Sequence, residues 1–374
     1  MNERLIVWCR VFAVVVLAIV GGGCNVREQS DQMGQPQPAV EAVLAAFDKY
    51  PVVAIGEVHW LLEQHQFFHT LIRHPNFANV VNDIVIEWGN ARHQATLDRY
   101  IAGENVPVAD LRAIWRDHSA SPIGPWDAEV YEEFFTVVRD VNAHLPTERR
   151  LRVLAGDPPV DWNRSEAERL RLTRERDKHV ADIVEQEVLA KGRKALVLIG
   201  TMHIRRGLQP NPTAPFAPEF AVANVTKRLE ASHPGSVYVI LPHDGVAGNP
   251  DPSIRQGLEQ AMQPWPKPSI TVLKNTIIGT TEAKHFISPP LVLGAPEGHT
   301  LSNPVSVDGL TLADLGDAYL YLGPLDSLTA SRVAPHNFTD QPYLDELSRR
   351  QGGRPFATSV WRRENESFAK AMNP

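Results

Sequence analysis

The feature that most constrains this chain is a series of short apolar runs separated by longer amphipathic stretches. Val52–Ile55, Ile84–Glu87, Leu151–Ala155, Ala195–Ile199, Val237–Leu241 and Ala318–Leu322 are each too short for a buried helix, and half of them are rich in β-branched residues. The stretches between them, Glu63–Ile72, Arg92–Ile101, Val108–Asp117, Ala128–Ala143, Glu166–Leu189 and Glu219–Ala231, carry helical periodicity. Strands that stay apolar throughout and alternate with helices predict an α/β fold, a mostly parallel sheet with helices on both faces. Ser165 and Glu168 form a predicted capping box at the start of the longest helix.

Composition excludes other classes. With 43% hydrophobic and 22% charged residues in a 374-residue chain, there is ample material for a large core. The net charge of -7 with interleaved signs argues against nucleic acid as a partner.

The termini read differently. Arg4, the apolar run Val11–Val20 and Gly21-Gly22-Gly23 before Cys24 form a secretory signal. The run is too short for a hydrocarbon core about 30 Å thick. Small residues directly before Cys24 resemble the bacterial lipobox, although Gly21 stands where Leu is usual. This predicts a signal peptide over 1–24, lipidation at Cys24 and a membrane-anchored protein of the bacterial cell envelope. Residues 25–39 are a polar, Gln-rich tether; 40–245 hold the α/β domain; 246–374 form a Pro-rich C-terminal extension that returns a strand to the sheet near Tyr319 and ends in a helix over Gln341–Arg350. The sequence holds two cysteines, Cys9 and Cys24, and cleavage removes the first, so no disulfide or thiol nucleophile is expected in the mature domain.

Polar residues gather just past the strands: Glu57 and His59 after the first, Glu87 and Trp88 at the end of the second, Asp157 after the third, His203 after the fourth, and His243 and Asp244 after the fifth. In a parallel sheet these ends share one edge, where ligand crevices form. Gly56-Glu57-Val58-His59 and Gly200-Thr201-Met202-His203 repeat one Gly-x-x-His arrangement. Glu57, His59, Glu87 and His203 are the candidate catalytic residues, with Trp60, Trp88, Asp157 and His243 as candidate substrate-binding neighbours. His59, Glu87 and His203 together offer two imidazoles and a carboxylate, a set suited to zinc or another divalent ion with a position open for water. His65 and His69, four apart on one helix face, read as packing residues, as do Tyr319 and Tyr321. For any one strand-end histidine alone, mutual satisfaction of polar groups is the simpler reading; the recurrence after glycine on separate strands favours a site. No Gly-x-Ser-x-Gly elbow, Walker loop or dinucleotide fingerprint is present.

Gly56-Glu57-x-His59 with His65-Gln66, then Ile86-Glu87 leading into Gln94-Ala95-x-Leu97-x-x-Tyr100-x-x-Gly103, and Leu198-Ile199-Gly200-x-x-His203-Ile204-Arg205, resemble the ChaN-like haem-binding uptake and Tiki superfamily. Erythromycin esterases are similar in the first region but place the His differently, so the ChaN-like branch fits better. The resemblance covers Val40 to Leu241. It implies an α/β fold of the erythromycin esterase and ChaN type with a Glu/His pocket, in a group whose members are described as haem-binding lipoproteins, esterases and metal-dependent proteases. It carries site roles to Glu57, His59, Glu87 and His203, and Arg176-Asp177 also resembles a motif position. Two functional readings follow. One is hydrolysis of an ester or amide in a small-molecule or peptide substrate, with Glu57 or His59 as base and His203 as donor. The other is capture of haem, with a His or Tyr on iron and Trp60 or Trp88 over the macrocycle. Hydrolysis is placed slightly ahead.

Overall fold

The computed structural model describes residues 33–122, 124–212, 219–244, 252–286, 305–363 and 366. The signal segment, Cys24 and most of the tether lie outside the described residues. Among the described residues ten strands form: β1 (Gln37–Pro38), β2 (Val52–Glu57), β3 (Asp83–Asn90), β4 (Arg152–Asp157), β5 (Ala195–Gly200), β6 (Gln209–Pro210), β7 (Val237–Pro242), β8 (Ser269–Val272), β9 (Val305–Ser306) and β10 (Ala318–Tyr321). Eight of them make one sheet in the order β1-β8-β10-β7-β2-β5-β3-β4, parallel from β10 to β4, while β6 and β9 pair separately. All six anticipated strands are present. The separate pair β6 and β9 was not anticipated, and neither were two strands of the main sheet: β8 runs antiparallel to β10, and β1 runs antiparallel to β8 within what reads as tether. β1 is too short to carry a periodic signal, β8 follows directly on Pro264, Pro266 and Pro268, and Pro38 is tolerated because β1 is an edge.

The continuous apolar character of the strands follows from burial on both faces. Along β2, Val53 and Ile55 enter one core with Phe68, Tyr131 and Phe134, while Val52 and Ala54 enter the other with Val180, Val225 and Leu229. Along β3 the same alternation sends Ile84, Ile86 and Trp88 to the first core and Val85 to the second. The helices Leu62–Arg73 and Glu129–Ala143 cover the first face; Arg176–Ile183 and Val225–Ser232 cover the second.

The long helix expected over Glu166–Leu189 is broken. Glu166–Arg174 has no buried residue, and the chain leaves helical geometry at Glu175 before Arg176–Ile183 docks through Val180 and Ala181. A π-helical turn, Val184–Val188, and a final 3-10 turn complete it. Burial of only the second part explains the break, because packing and not periodicity fixes a helix axis. Ser165 does cap the first part, its side chain accepting the Glu168 N–H at 3.3 Å.

The outer edge of β4 is sealed by two amide side chains. Asn142 accepts the Leu151 N–H at 2.8 Å and donates to the Leu151 carbonyl at 2.9 Å; Gln94 accepts from Ala155 N–H and donates to the Val153 carbonyl, both at 2.8 Å. Each amide thus imitates a peptide unit of a further strand, which blunts an edge otherwise open to pairing with another chain.

Candidate functional site

Strand order places β5 between β2 and β3, so the ends of these three strands adjoin. Period-two alternation decides which face each side chain takes. Glu57 shares parity with Val53 and Ile55 and turns toward Tyr131 and His65; Glu87 shares parity with Val85 and turns toward the Arg176 helix. Gly200 sits between them. A Cβ there would stand 3.1 Å from Glu87 Oε2 and 3.4 Å from both His203 Cδ2 and His59 Cε1, so the missing side chain is what lets the three groups meet. Gly56 is needed for a similar reason, since a Cβ there would meet Thr201 at 2.7 Å.

Glu57 is fully engaged. Its Oε2 takes the His59 Nδ1–H at 2.5 Å, and its Oε1 takes His65 Nε2–H at 3.0 Å and the Tyr131 hydroxyl at 2.9 Å. Gln64 fixes the turn that delivers it, donating to the Gly56 carbonyl and accepting from Val58 N–H. Burial by itself would favour the protonated acid, but the facing His59 and His65 outweigh it and hold the carboxyl well below the usual carboxylate range. Burial likewise opposes the charge on His59, and the Glu57 carboxylate overcomes it, pushing the imidazole up to about 9. The His59 side chain remains 42% exposed, with Nε2 on its outer edge free of any protein partner among the described residues. Trp126 meets the ring edge-on, centroids 6.4 Å apart.

The second half of the site is an interlocked set. Glu87 accepts the Gly200 N–H at 2.7 Å and Arg176 Nη1–H at 3.1 Å, and lies 3.6 Å from His203 Nε2. Despite burial, His203, Arg176 and His59 keep it ionised and lowered. His203 donates from Nδ1 to Asp177 at 2.6 Å, and this carboxylate with Glu87 raises the imidazole against the opposing effect of burial. Arg176 also donates to Ser119 Oγ at 2.5 Å and lies 3.4 Å from Asp157, which in turn accepts Ser119 N–H and O–H. Burial pushes the Asp157 acid up to about 6, against the pull of Arg176 and Ser119.

Glu57, His59, Glu87 and His203 therefore converge on one spot, and several companions take other places. Glu57 is a weaker base than His59, because its side chain is fully buried and the facing imidazoles hold its proton affinity low. Trp88, expected as a pocket wall, is 0% exposed among His65, Tyr131 and Phe134, because alternation on β3 turns it to the face opposite Glu87. Trp60, at 4% exposure, is also buried and adopts a left-handed φ of 67°. Asp157 supports Arg176 instead of facing an incoming ligand. His243 is buried, with Nδ1 on the Tyr319 hydroxyl at 2.6 Å and Nε2 on Glu259 at 3.0 Å. His69 lies buried in the helix bearing His65. Among the described residues, the trio whose ligand atoms fall within 4.8 Å of one another is Glu57, His59 and Glu87; the expected set had His203 in place of Glu57. Two carboxylates and an imidazole suit a divalent ion, but one bound there would compete with the Glu57–His59 hydrogen bond.

Residues that sequence reading left out are Tyr131, Ser119 and Trp126, which lie in a helix interior or a loop without motif spacing. Arg176 and Asp177 carried only the resemblance signal, and the paired carboxylate of Glu57 showed His65 to be part of the site.

Fold and site together define an α/β protein with a Glu/His cluster at the carboxyl edge of its parallel sheet. No family model matches the chain, and no curated protein does either. Among solved structures, a succinoglycan biosynthesis protein is similar with a TM-score of 0.52 at 9% identity, over 83% of this chain and 98% of that one, a likeness of fold. The structural neighbours also include the two groups named by the sequence resemblance. The erythromycin esterase EreC, in its open conformation, has a TM-score of 0.47 at 12% identity, covering 75% of this chain and 92% of its own. Haem-binding ChaN of Campylobacter jejuni has a TM-score of 0.35 at 13% identity, covering 56% and 87%.

Proposed function

We propose that the chain is an exported, lipid-anchored envelope protein that hydrolyses an ester or amide bond with water activated by His59. The observation carrying this reading is the His59 imidazole itself: Nδ1 is held 2.5 Å from a buried carboxylate while Nε2 stays free on a 42% exposed side chain. A carboxylate that orients one ring nitrogen leaves the other to act as base, the division of labour general in hydrolytic sites. Water bound at the crevice gives its proton to His59 Nε2 as its oxygen attacks the acyl carbon. His203 Nε2–H, kept charged and oriented by Asp177, donates to the developing oxyanion. Collapse expels the leaving group, which takes the proton from His59. Arg176 and Gly200 N–H hold Glu87 ionised between the two imidazoles, so their charges coexist at close quarters.

Lipid anchoring at Cys24 is supported by the apolar run and the three glycines before it. Among the described residues, no helix is long and apolar enough to cross a membrane. Haem capture has weaker support, because Trp60 and Trp88, expected over the macrocycle, are 4% and 0% exposed.

The test is a panel of ester and peptide substrates assayed from pH 5 to pH 10, with and without chelator. His59 must be neutral to accept a proton, and its folded value lies above the ordinary one, so turnover is expected to climb with pH through about 9 and level off only above it. The ion pair changes in the opposite sense: what it adds to stability is complete below the ordinary imidazole value and is lost as pH rises through about 9. Complete loss with chelator would move the reading to metal-assisted hydrolysis. No turnover, with a saturable Soret shift on haemin titration that His59→Ala abolishes, would replace it with haem binding.

A further inference from the structure

His59 lies in the turn Val58–Leu62 and meets Trp126 of the turn Pro125–Glu129, and one distant stretch of chain grips both turns. Thr329 accepts from Leu62 N–H at 3.0 Å, and Ser331 N–H donates to the Trp60 carbonyl at 2.6 Å. Immediately afterwards, Glu129 N–H donates to Arg332 O and Ala334 N–H to Asp127 O, both at 2.9 Å, around a bridge between Ala128 and Val333. The centre of the grip is the buried Asp127 carboxylate. Its Oδ1 accepts from the Tyr343 hydroxyl at 2.9 Å and Asn337 Nδ2 at 3.2 Å, and its Oδ2 from Trp361 Nε1 at 3.0 Å. All three donors belong to the C-terminal segment. A carboxylate with no direct ion-pair partner is costly to bury and is tolerated only when its oxygens are satisfied. Here they are satisfied from elsewhere in the chain, so Asp127 stays in place only while that segment is docked.

The neighbour of Asp127 is Trp126, whose ring meets His59 edge-on and lies 5.7 Å from the Arg176 guanidinium. Anything that lets Asp127 move therefore moves the wall against which His59 and Arg176 pack.

We propose that Asp127 is a positioning residue of the crevice: through it, segment 329–361 clasps the turn 125–129 and holds Trp126 against the His59 ring. The proposal rests on the reading of His59 as the working base, but its test does not require turnover. In the full chain, Tyr343→Phe combined with Trp361→Phe removes two of the three donors while keeping both rings in their apolar cluster with Phe338 and Phe356. Asp127→Ala removes the acceptor. One quantity is read for each: the rate at which diethylpyrocarbonate modifies His59 at pH 7, mapped by mass spectrometry.

With the clasp weakened, His59 modification is expected to rise about tenfold, with buried His243 unchanged. If Asp127→Ala does not fold, the double variant decides, since it retains the carboxylate and the aromatic packing. A His59 rate matching that of the parent overturns the proposal, as does a rise shared equally by His243, which would mean general loosening. Failure of every substrate in the hydrolysis panel would sink the hydrolase reading and leave this measurement standing.

Discussion

His59 and His243 both follow strands of the same parallel sheet, on neighbours β2 and β7, yet their situations are opposite. His59 gives one nitrogen to a buried carboxylate and keeps the other free of protein partners among the described residues, on a half-exposed ring. His243 is fully buried, with one nitrogen on Tyr319 and the other on Glu259. Position at a strand end is therefore not enough to make a working histidine. What separates the two is whether the second ring nitrogen has already been taken, and that is decided by helices and strands remote in sequence: Glu259 comes from the helix Pro252–Met262, and Tyr319 from β10.

The widest gap should open when each ring is removed. For His59→Ala, turnover is expected to fall by about 10²–10⁴-fold, with the fold retained because water can reach the carboxylate it leaves. For His243→Ala the pattern reverses: turnover stays within about twofold, while stability falls by about 2 kcal/mol because a buried tyrosine hydroxyl and a partly buried carboxylate lose their partner. Steady-state kinetics and urea unfolding of the two variants would settle it, and equal kinetic losses would erase the distinction.

A smaller effect tests the crowding around the site. Gly200 has an ordinary φ of -46°, so an alanine there introduces no backbone strain, only a Cβ 3.1 Å from Glu87 Oε2. Gly200→Ala should cost about 1 kcal/mol of stability and about tenfold in turnover by shifting Glu87 a few tenths of an ångström. Gly56→Ala would instead crowd Thr201, so comparing the two shows whether Glu87 or the β2–β5 junction is the sensitive element.

The smallest effect lies at the far edge of the sheet, which does not share in the chemistry. Gln94→Leu exposes the Val153 carbonyl and Ala155 N–H of β4; it should cost about 1 kcal/mol and produce concentration-dependent association by light scattering, with turnover unchanged. Gln94 belongs to the residues that carry the family resemblance, yet its side chain seals an edge and does not line the crevice.

Much of the architecture was legible because both sheet faces are buried, which writes each strand as an uninterrupted apolar burst. The exceptions have local causes. β1, at two residues, is shorter than any pattern can register, β8 is hidden behind Pro264, Pro266 and Pro268, and the helix after Ser165 broke because only its second half had something to pack against. At the site, Glu57, His59, Glu87 and His203 were readable from their place after strands. Trp88 was misread as a wall because its orientation depends on counting parity from residues whose face is known only once the sheet is assembled.

The sequence by itself determined that a parallel sheet would bring acids and imidazoles to one edge, since strand hydrophobicity and the glycines beyond it are local properties. Only tertiary structure decided their roles. Which nitrogen of a histidine is free, which carboxylate is already satisfied and which tryptophan is covered all depend on partners such as Tyr131, Arg176 and Asp177. Those contacts form between segments with no sequence pattern linking them, because a hydrogen bond needs atoms about 3 Å apart in space and places no demand on their separation along the chain.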